Sequence, residues 1–435
     1  MMCGSSAEAE VELWNKDGLK TAFSLTLASG YFHAADANFG AGRDSDGATS
    51  IDWAEGYITP QLTTSFDTGR VGSFYGGLSY VGSATRGEGD AGDFTARSAE
   101  ALDNEYLYIG WKSGMLLEVF GHDALDVSFG RQEFQVGDGF LLWDGNFDEG
   151  NEGTYRLLAR SAFKKTALVR TNTQPLRGDL FYVQADFDNG HPELYGVNLE
   201  YVDKRLGTLG FTYFTIVDAD KGFESRDGLD VLSIRGQGHP LGVIGVKNAF
   251  VSFEYAHEEN DHTDRATSAA AWYVEAGYTF ASLPWSPALT YRFGAFSGDD
   301  LHTSTNEAFD PLFYSYSRGW DTWTQGEITG SYLLFNSNQN VHLLHAQAHL
   351  TANLSVGALY WKFILDEPAS LTSFRNTPTA HDFVDEIDFY ADWKVNDHLF
   401  ISGVFGIAFP GSGARQAFGT KQSYKLLEVY LTITL

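Results

Sequence analysis

Residues 156–170 read RLLARSAFKKTALVR, with Arg156, Arg160, Lys164 and Arg170 at even positions and Leu157, Ala159, Phe163, Ala167 and Val169 at odd ones. On a strand, successive side chains point to opposite faces, so this spacing sets a ladder of cations on one face and an apolar surface on the other. Guanidinium forks engage carboxylates through two parallel bonds, and a row of such sites lets an anion exchange from one to the next. The chemistry implied is binding and relay of anions, with no bond made or broken. The alternative is that these bases neutralise acids such as Asp186 and Glu200 on following strands. The same parity directs Arg235, Arg292, Lys362 and Lys394 to the polar face, with His345 and His349. Glu254, Glu275, Glu386, Asp388 and Asp392 share that face, so it is mixed in charge.

Other constellations carry less. Residues 87–92 (GEGDAG) have the glycine spacing of a dinucleotide fingerprint, yet lie in an acidic hairpin loop with no following helix to hold a pyrophosphate. His257 and His262 in HEENDH are five apart, so they miss the one-face zinc geometry of two histidines four apart. Cys3 is the only cysteine, which excludes a disulfide within the chain and offers no plausible nucleophile, and no nucleophile elbow is present. The chain therefore reads as a non-enzyme. Asp144, Asn146, Asp148 and Glu152 form an oxygen-rich loop reminiscent of calcium sites, although Glu149 replaces the usual glycine and Tyr155 stands where a bidentate Glu would close the loop. A structural calcium there is the one cofactor the sequence suggests.

The elements that must position these residues are strands. The chain of 435 residues holds 47 Gly, 33 Phe, 22 Tyr and 10 Trp against three Met, a bias toward pleated structure. Mean hydropathy is −0.22 and no apolar run is long enough for a helical span, so any membrane crossing must use strands. In the last segment Leu427, Val429, Leu431, Ile433 and Leu435 share one face, while Glu428, Tyr430, Thr432 and Thr434 share the other. Likewise Asp385, Ile387, Phe389, Ala391, Trp393 and Val395 oppose Glu386, Asp388, Tyr390, Asp392 and Lys394. This pattern repeats over about eighteen segments, including 156–171, 178–188 and 354–366, with aromatics near segment ends as in interfacial girdles. Tight turns such as 67–70, 203–205 and 396–397 alternate with long loops at 34–51, 84–102, 134–155, 297–339, 367–383 and 411–423. Residues 321–336 look strand-like, but turn parity assigns them to an outer loop.

The fold expected is all-β: a transmembrane antiparallel barrel of about 18 strands with short periplasmic turns and long extracellular loops, in a bacterial outer membrane. Residues 1–18 read as an N-terminal tail, with Ala7-Glu8-Ala9 like the end of a secretory leader, and 19–435 as one barrel domain. The formal charge of −28 makes nucleic acid an unsuitable partner, because binding it requires a basic surface.

Two blocks carry a family likeness. One is residues 127–132 (VSFGRQ), followed by Gly137-Asp138-Gly139 and Tyr155-Arg156-Leu157-Leu158; the other runs from DEIDFYADWKVNDHL into IAFPGSGARQ over 385–416. Through them the chain resembles the alginate-export family of outer-membrane barrels. The resemblance implies a monomeric eighteen-stranded barrel whose electropositive constriction guides a polyuronate out of the periplasm, with loops gating each end. It implies passive transport, outer-membrane lipid and lipopolysaccharide around the barrel, an anionic saccharide in it, and a periplasmic export partner. Tyr182, Tyr390 and Tyr430 would meet sugar rings. An uptake porin for small anionic sugars or other hydrophilic solutes is the alternative. Arg131 in the matching GRQ and Arg415 in the matching ARQ become lumen or constriction residues. Simple alternation puts Arg131 on the face of Val127 and Phe129, so a bulge near Gly130 is required. The chain departs from a basic channel in its many inward carboxylates.

Overall fold

A ribbon with one apolar and one polar face needs a different solvent on each side, and a strand edge cannot be left open in lipid, so both demands are met by closing the sheet on itself. The computed structural model describes residues 10–435 apart from 188–189, 220–221, 264, 317 and 321–324. The strands are β1 Val11–Lys16, β2 Leu19–Ala35, β3 Ser50–Asp67, β4 Ser73–Gly87, β5 Glu100–Lys112 and β6 Leu125–Gln132. They continue as β7 Phe163–Thr171, β8 Leu176–Gln184, β9 Glu193–Asp203, β10 Gly207–Asp218, β11 Asp230–Gly238, β12 Ala249–Asn260 and β13 Thr267–Thr279. The last are β14 Ala288–Phe296, β15 Gln339–His349, β16 Leu354–Leu365, β17 Asp382–Lys394, β18 Leu399–Pro410 and β19 Tyr424–Thr434.

Each strand from β2 to β19 pairs antiparallel with its neighbour, and β19 closes onto β2 from Lys425↔Ala35 to Thr434↔Thr26. The result is a closed barrel of 18 strands. The short β1, within the stretch read as a tail, pairs with the start of β2 from Val11↔Phe23 to Lys16↔Leu19. It extends the β2 ladder past the point where β19 ends. Outward side chains such as Leu180, Leu199, Leu209, Phe389 and Val429 are exposed, a surface that suits hydrocarbon and would be untenable in water.

The predicted strand over 156–171 begins only at Phe163. Thr154 and Leu158 adopt positive φ (67° and 51°), and the N–H groups of Leu157 and Leu158 turn back to the Thr154 carbonyl, so the chain leaves the extended state. Arg156 and Arg160 thus belong to a loop, and the ladder read from the sequence is broken at its upper half. Residues 326–334, expected in an outer loop, form a buried helical segment of π type that folds into the barrel (Gly326–Leu334).

The bulge lies on β7 rather than at Arg131: three steps from Thr166 to Phe163 oppose two from Gly130 to Gln132, so Arg131 keeps the outward parity of Phe129, pairs with exposed Leu107 and does not line the lumen. The β6–β7 register shifts between Gly130 and Gln132, and Gly130 has φ 124°. A Cβ there would sit 2.2 Å from the Leu107 carbonyl oxygen. Gly130→Ala is expected to destabilise the barrel by about 2–3 kcal/mol, measured by urea unfolding in lipid vesicles. Gly403→Ala, with nothing within 4 Å of the added methyl, is the control. Equal stability of the two variants would contradict the strain assigned to Gly130.

Candidate functional site

The lumen has two halves of different character. Towards the long loops, inward side chains are apolar: Phe32, Trp53, Trp361, Phe363, Phe214 and Ile216 pack against residues of the loops 133–162 and 297–338. Those loops join each other inside the barrel. Trp143 N–H donates to the Phe313 carbonyl (2.8 Å) and Ser315 N–H to that of Gly139 (3.0 Å).

Arg156 is the tie between them. It is buried, donates to Ser331 Oγ at 2.7 Å, contacts Glu327 of the buried helical segment, and meets Glu428 of β19 at 2.8 Å. Its own N–H and that of Leu157 donate to Glu55 of β3 (2.9 and 3.0 Å), and the Tyr155 hydroxyl donates to the Ser331 carbonyl (2.7 Å). Arg160, also buried, holds Asp148 at 2.7 Å and donates to Ser83 Oγ at 2.8 Å. These two cations, the centre of the sequence ladder, are committed to anchoring loops.

The oxygen-rich loop is used in the same way. Asp144 accepts from Asn146 N–H, Asn146 accepts from Asp148 N–H and donates to Glu152, while Asp148 faces Arg160. Burial and the nearby Asp148 push the Asp144 carboxyl well above the usual range, an environment that disfavours charge. Among the described residues, no group of three or more His, Cys, Asp or Glu is arranged to hold a metal. Turn formation and the Arg160 pair account for the oxygen-rich pattern that suggested calcium.

Towards the short turns the lumen wall is polar. From β7 to β14 it carries arginines. Arg170 lies 3.9 Å from Asp179; Arg177 contacts Glu200, and Arg235 meets the same Glu200 at 2.7 Å while donating to Asn198 and Thr212. Arg292 lies 3.5 Å from Glu275 and 4.5 Å over the Tyr316 ring. From the inward loop, Arg318 reaches Asp138 at 2.9 Å and Glu275 at 3.7 Å. At the loop end of β6 to β8, Arg131 and Lys164 share Asp186 at 2.5 and 3.1 Å, on the side to which Tyr182 points rather than on the lumen wall. On the lumen wall itself two cations meet one carboxylate at Glu200, and Glu254 of β12 is buried beside them. Nearer the loops the wall from β17 to β3 is acidic: Glu386 accepts from Ile328 N–H, Asp388 accepts from Trp361, and Glu428 and Glu55 hold Arg156.

Several sequence assignments are corrected. Lys362 faces outward, because the inward positions of β16 are Leu359, Trp361, Phe363 and Leu365; its ammonium contacts Asp382 and lies 3.0 Å from Asp385 at the outer rim. Near the loops the apolar side is the inner one, which inverts the parity rule. Tyr182 faces outward for the same reason, opposite in parity to buried Phe181 and Val183, and donates to Glu193. Arg415 is exposed on a helix, α1 Ser412–Phe418, and donates to the Pro410 carbonyl at 2.9 Å, so it lines no constriction. Lys394 sits at the short-turn rim, 2.8 Å from Asp397. Tyr390 points inward but stacks on Trp320 at 4.1 Å, and its hydroxyl lies 3.0 Å from His345 Nε2. Arg177 and Arg318 were missed. Arg177 shares the parity of Asp179 and lay one residue before the predicted strand; Arg318 sits in a loop without periodicity.

The lumen just described is that of a channel wall, and residues 63–426 match the family model described as alginate export. The chain belongs to the alginate export family. In solved structures the fold recurs in OccAB2 of Acinetobacter baumannii, with TM-score 0.60 and 11% identity over 95% of this chain and 98% of that one. It recurs in a BenF-like porin from Pseudomonas fluorescens Pf-5, with TM-score 0.58 and 10% identity over 95% and 99%. It recurs also in OccK11 (OpdR) of Pseudomonas aeruginosa, with TM-score 0.55 and 12% identity over 95% and 96%. At such identities these likenesses speak to fold alone. None of the curated proteins compared matches the chain. As a barrel of the alginate export family, the protein is an outer-membrane channel.

Proposed function

We propose that this channel passes an acidic polysaccharide of the polyuronate class passively along its arginine wall. The observation that carries the reading is the pairing of two cations, Arg177 and Arg235, with the one carboxylate of Glu200 on the lumen wall. A sugar carboxylate can take the fork of Arg177 while Arg235 keeps Glu200 neutral, so binding strands no buried charge. Release costs little for the same reason, as conduction requires. The surplus of acid noted in the sequence falls largely elsewhere, on the wall from β17 to β3 and in outer loops where Asp46, Asp93 and Asp299 pair with arginines. The barrel works as a monomer in lipid and lipopolysaccharide, and a periplasmic partner delivers the polymer. Uptake of small anionic sugars is the second reading, favoured by the loop packing that fills the outer half of the lumen.

Planar-bilayer recording tests the proposal. Anion selectivity and current block by uronate oligomers, strengthening with oligomer length and absent with neutral glucans, are expected for polyuronate passage. Block by monouronate with no gain on lengthening would favour the uptake reading. Cation selectivity without block would contradict both.

A further inference from the structure

At the short-turn mouth, the inner wall of β2 to β5 forms a cleft of about 210 Å³. Its lining includes Lys20, Thr63, Ser65, Tyr75, Tyr108 and Lys112. The parity of each strand places these side chains on the lumen face: Lys20 is in step with Ala22 and Ser24, and Thr63 and Ser65 with Trp53 and Glu55, all inward and buried. Asp126, inward on β6, accepts the Tyr75 hydroxyl at 2.5 Å and fixes that ring. Both tyrosines lie across glycines of the adjacent strand. A Cβ on Gly110 would meet the Tyr75 ring at 2.3 Å, and one on Gly77 the Tyr108 ring at 2.7 Å. With no side chain beneath them, the rings settle over those glycines, inclined at 63° to each other with centroids 6.2 Å apart.

The lysines differ from the other inward cations. Arg156, Arg160, Arg177, Arg235 and Arg292 each lie within salt-bridge distance of an acid, whereas among the described residues neither Lys20 nor Lys112 does. Lys112 instead holds its ammonium 5.0 Å over the Tyr75 ring centroid. Glu10 also borders the cleft.

We propose that this cleft is a periplasmic binding subsite for one uronate unit, the first contact of the chain before it reaches the arginine wall. Aromatic faces meet the C–H surface of a sugar ring, Thr63 and Ser65 offer hydroxyls to its hydroxyl groups, and the two ammoniums take its carboxylate. Glu10 can accept from ring hydroxyls, and it repels a carboxylate at its own end of the cleft, which orients the unit with its acid towards the lysines. The inference rests on the polyuronate reading and deepens it.

The test uses oriented single channels of the full chain with a uronate trisaccharide added to the periplasmic side. In wild type the trisaccharide is expected to block from that side. In the Lys20→Gln, Lys112→Gln double variant the residence time is expected to fall roughly tenfold, while Lys165→Gln, a change at an exposed position outside the cleft, leaves it unaltered. Both lysines are solvent-accessible and unpaired, so the variant folds, and open-channel conductance confirms it. Unchanged residence in the double variant would overturn the subsite and leave the polyuronate reading standing. No block of wild type from either side would overturn both.

Discussion

Replacing Arg156 with alanine is expected to lower barrel stability by about 3–5 kcal/mol and to raise single-channel conductance. The guanidinium faces Glu327 and Glu428 within an interior that is nearly dry, and truncation leaves both carboxylates without their cation. Attraction in that interior is strong, and an uncompensated buried charge costs more than the pair contributed. The same change frees Ser331 Oγ, one of the points where the inward helical segment is held to the loop 133–162. With that tie cut, the loops lose their fixed position and the lumen widens, seen as larger and noisier openings. Lysine at 156 is expected to restore charge but not the contacts to Ser331, Glu327 and Glu428 together, giving partial rescue. A variant with wild-type stability and conductance would show that the loop junction is held by its apolar contacts alone.

The second large effect concerns selectivity. A triple change of Arg170, Arg177 and Arg318 to glutamine is expected to lower the anion-to-cation permeability ratio by about tenfold or more, read as a shift in reversal potential across a salt gradient. These three retain accessible surface, with side-chain exposures of 30%, 49% and 17%. Glu200 keeps Arg235 and Glu275 keeps Arg292, so no wall carboxylate near them loses its last cation except Asp179 and Asp138. The arginine wall then keeps Arg235 and Arg292 against Asp138, Asp179, Glu200, Glu254 and Glu275. An unchanged ratio would mean that the arginines are fully neutralised structural groups.

Strand alternation carried the fold a long way. The final strand and residues 384–395 fall where their alternation put them, and the outward faces of both are the predicted ones, because lipid imposes one requirement along the whole outer surface. The inner surface is different. Alternation presumes water throughout the lumen, but the outer half is filled by chain from 133–162 and 297–338, so Leu359, Trp361 and Phe363 point in and Lys362 points out. Residues 156–162 keep the alternating pattern yet are not a strand, since Glu55 and Asp148 capture backbone N–H groups of Arg156, Leu157 and Arg160. Such captures join residues far apart in the chain and leave no local signal. The bulge expected near Gly130 falls on β7 instead, so simple alternation, which put Arg131 on the face of Val127 and Phe129, was the better guide to Arg131 than the family likeness. Arg318 could not be found by period, because its place is set by Asp138 across two loops. The periplasmic cleft was hidden because its polar residues are scattered singly over four strands.

Efflux from proteoliposomes tests the central claim most directly. Vesicles containing the channel are loaded with a fluorescent uronate oligomer or a neutral glucan of equal length, and release is followed in physiological salt. Faster release of the uronate, slowed by the Arg170, Arg177 and Arg318 triple change and unaffected for the glucan, is the expected result. Equal or slower release of the uronate, unaltered in the variant, would contradict an arginine wall that carries acidic polysaccharide.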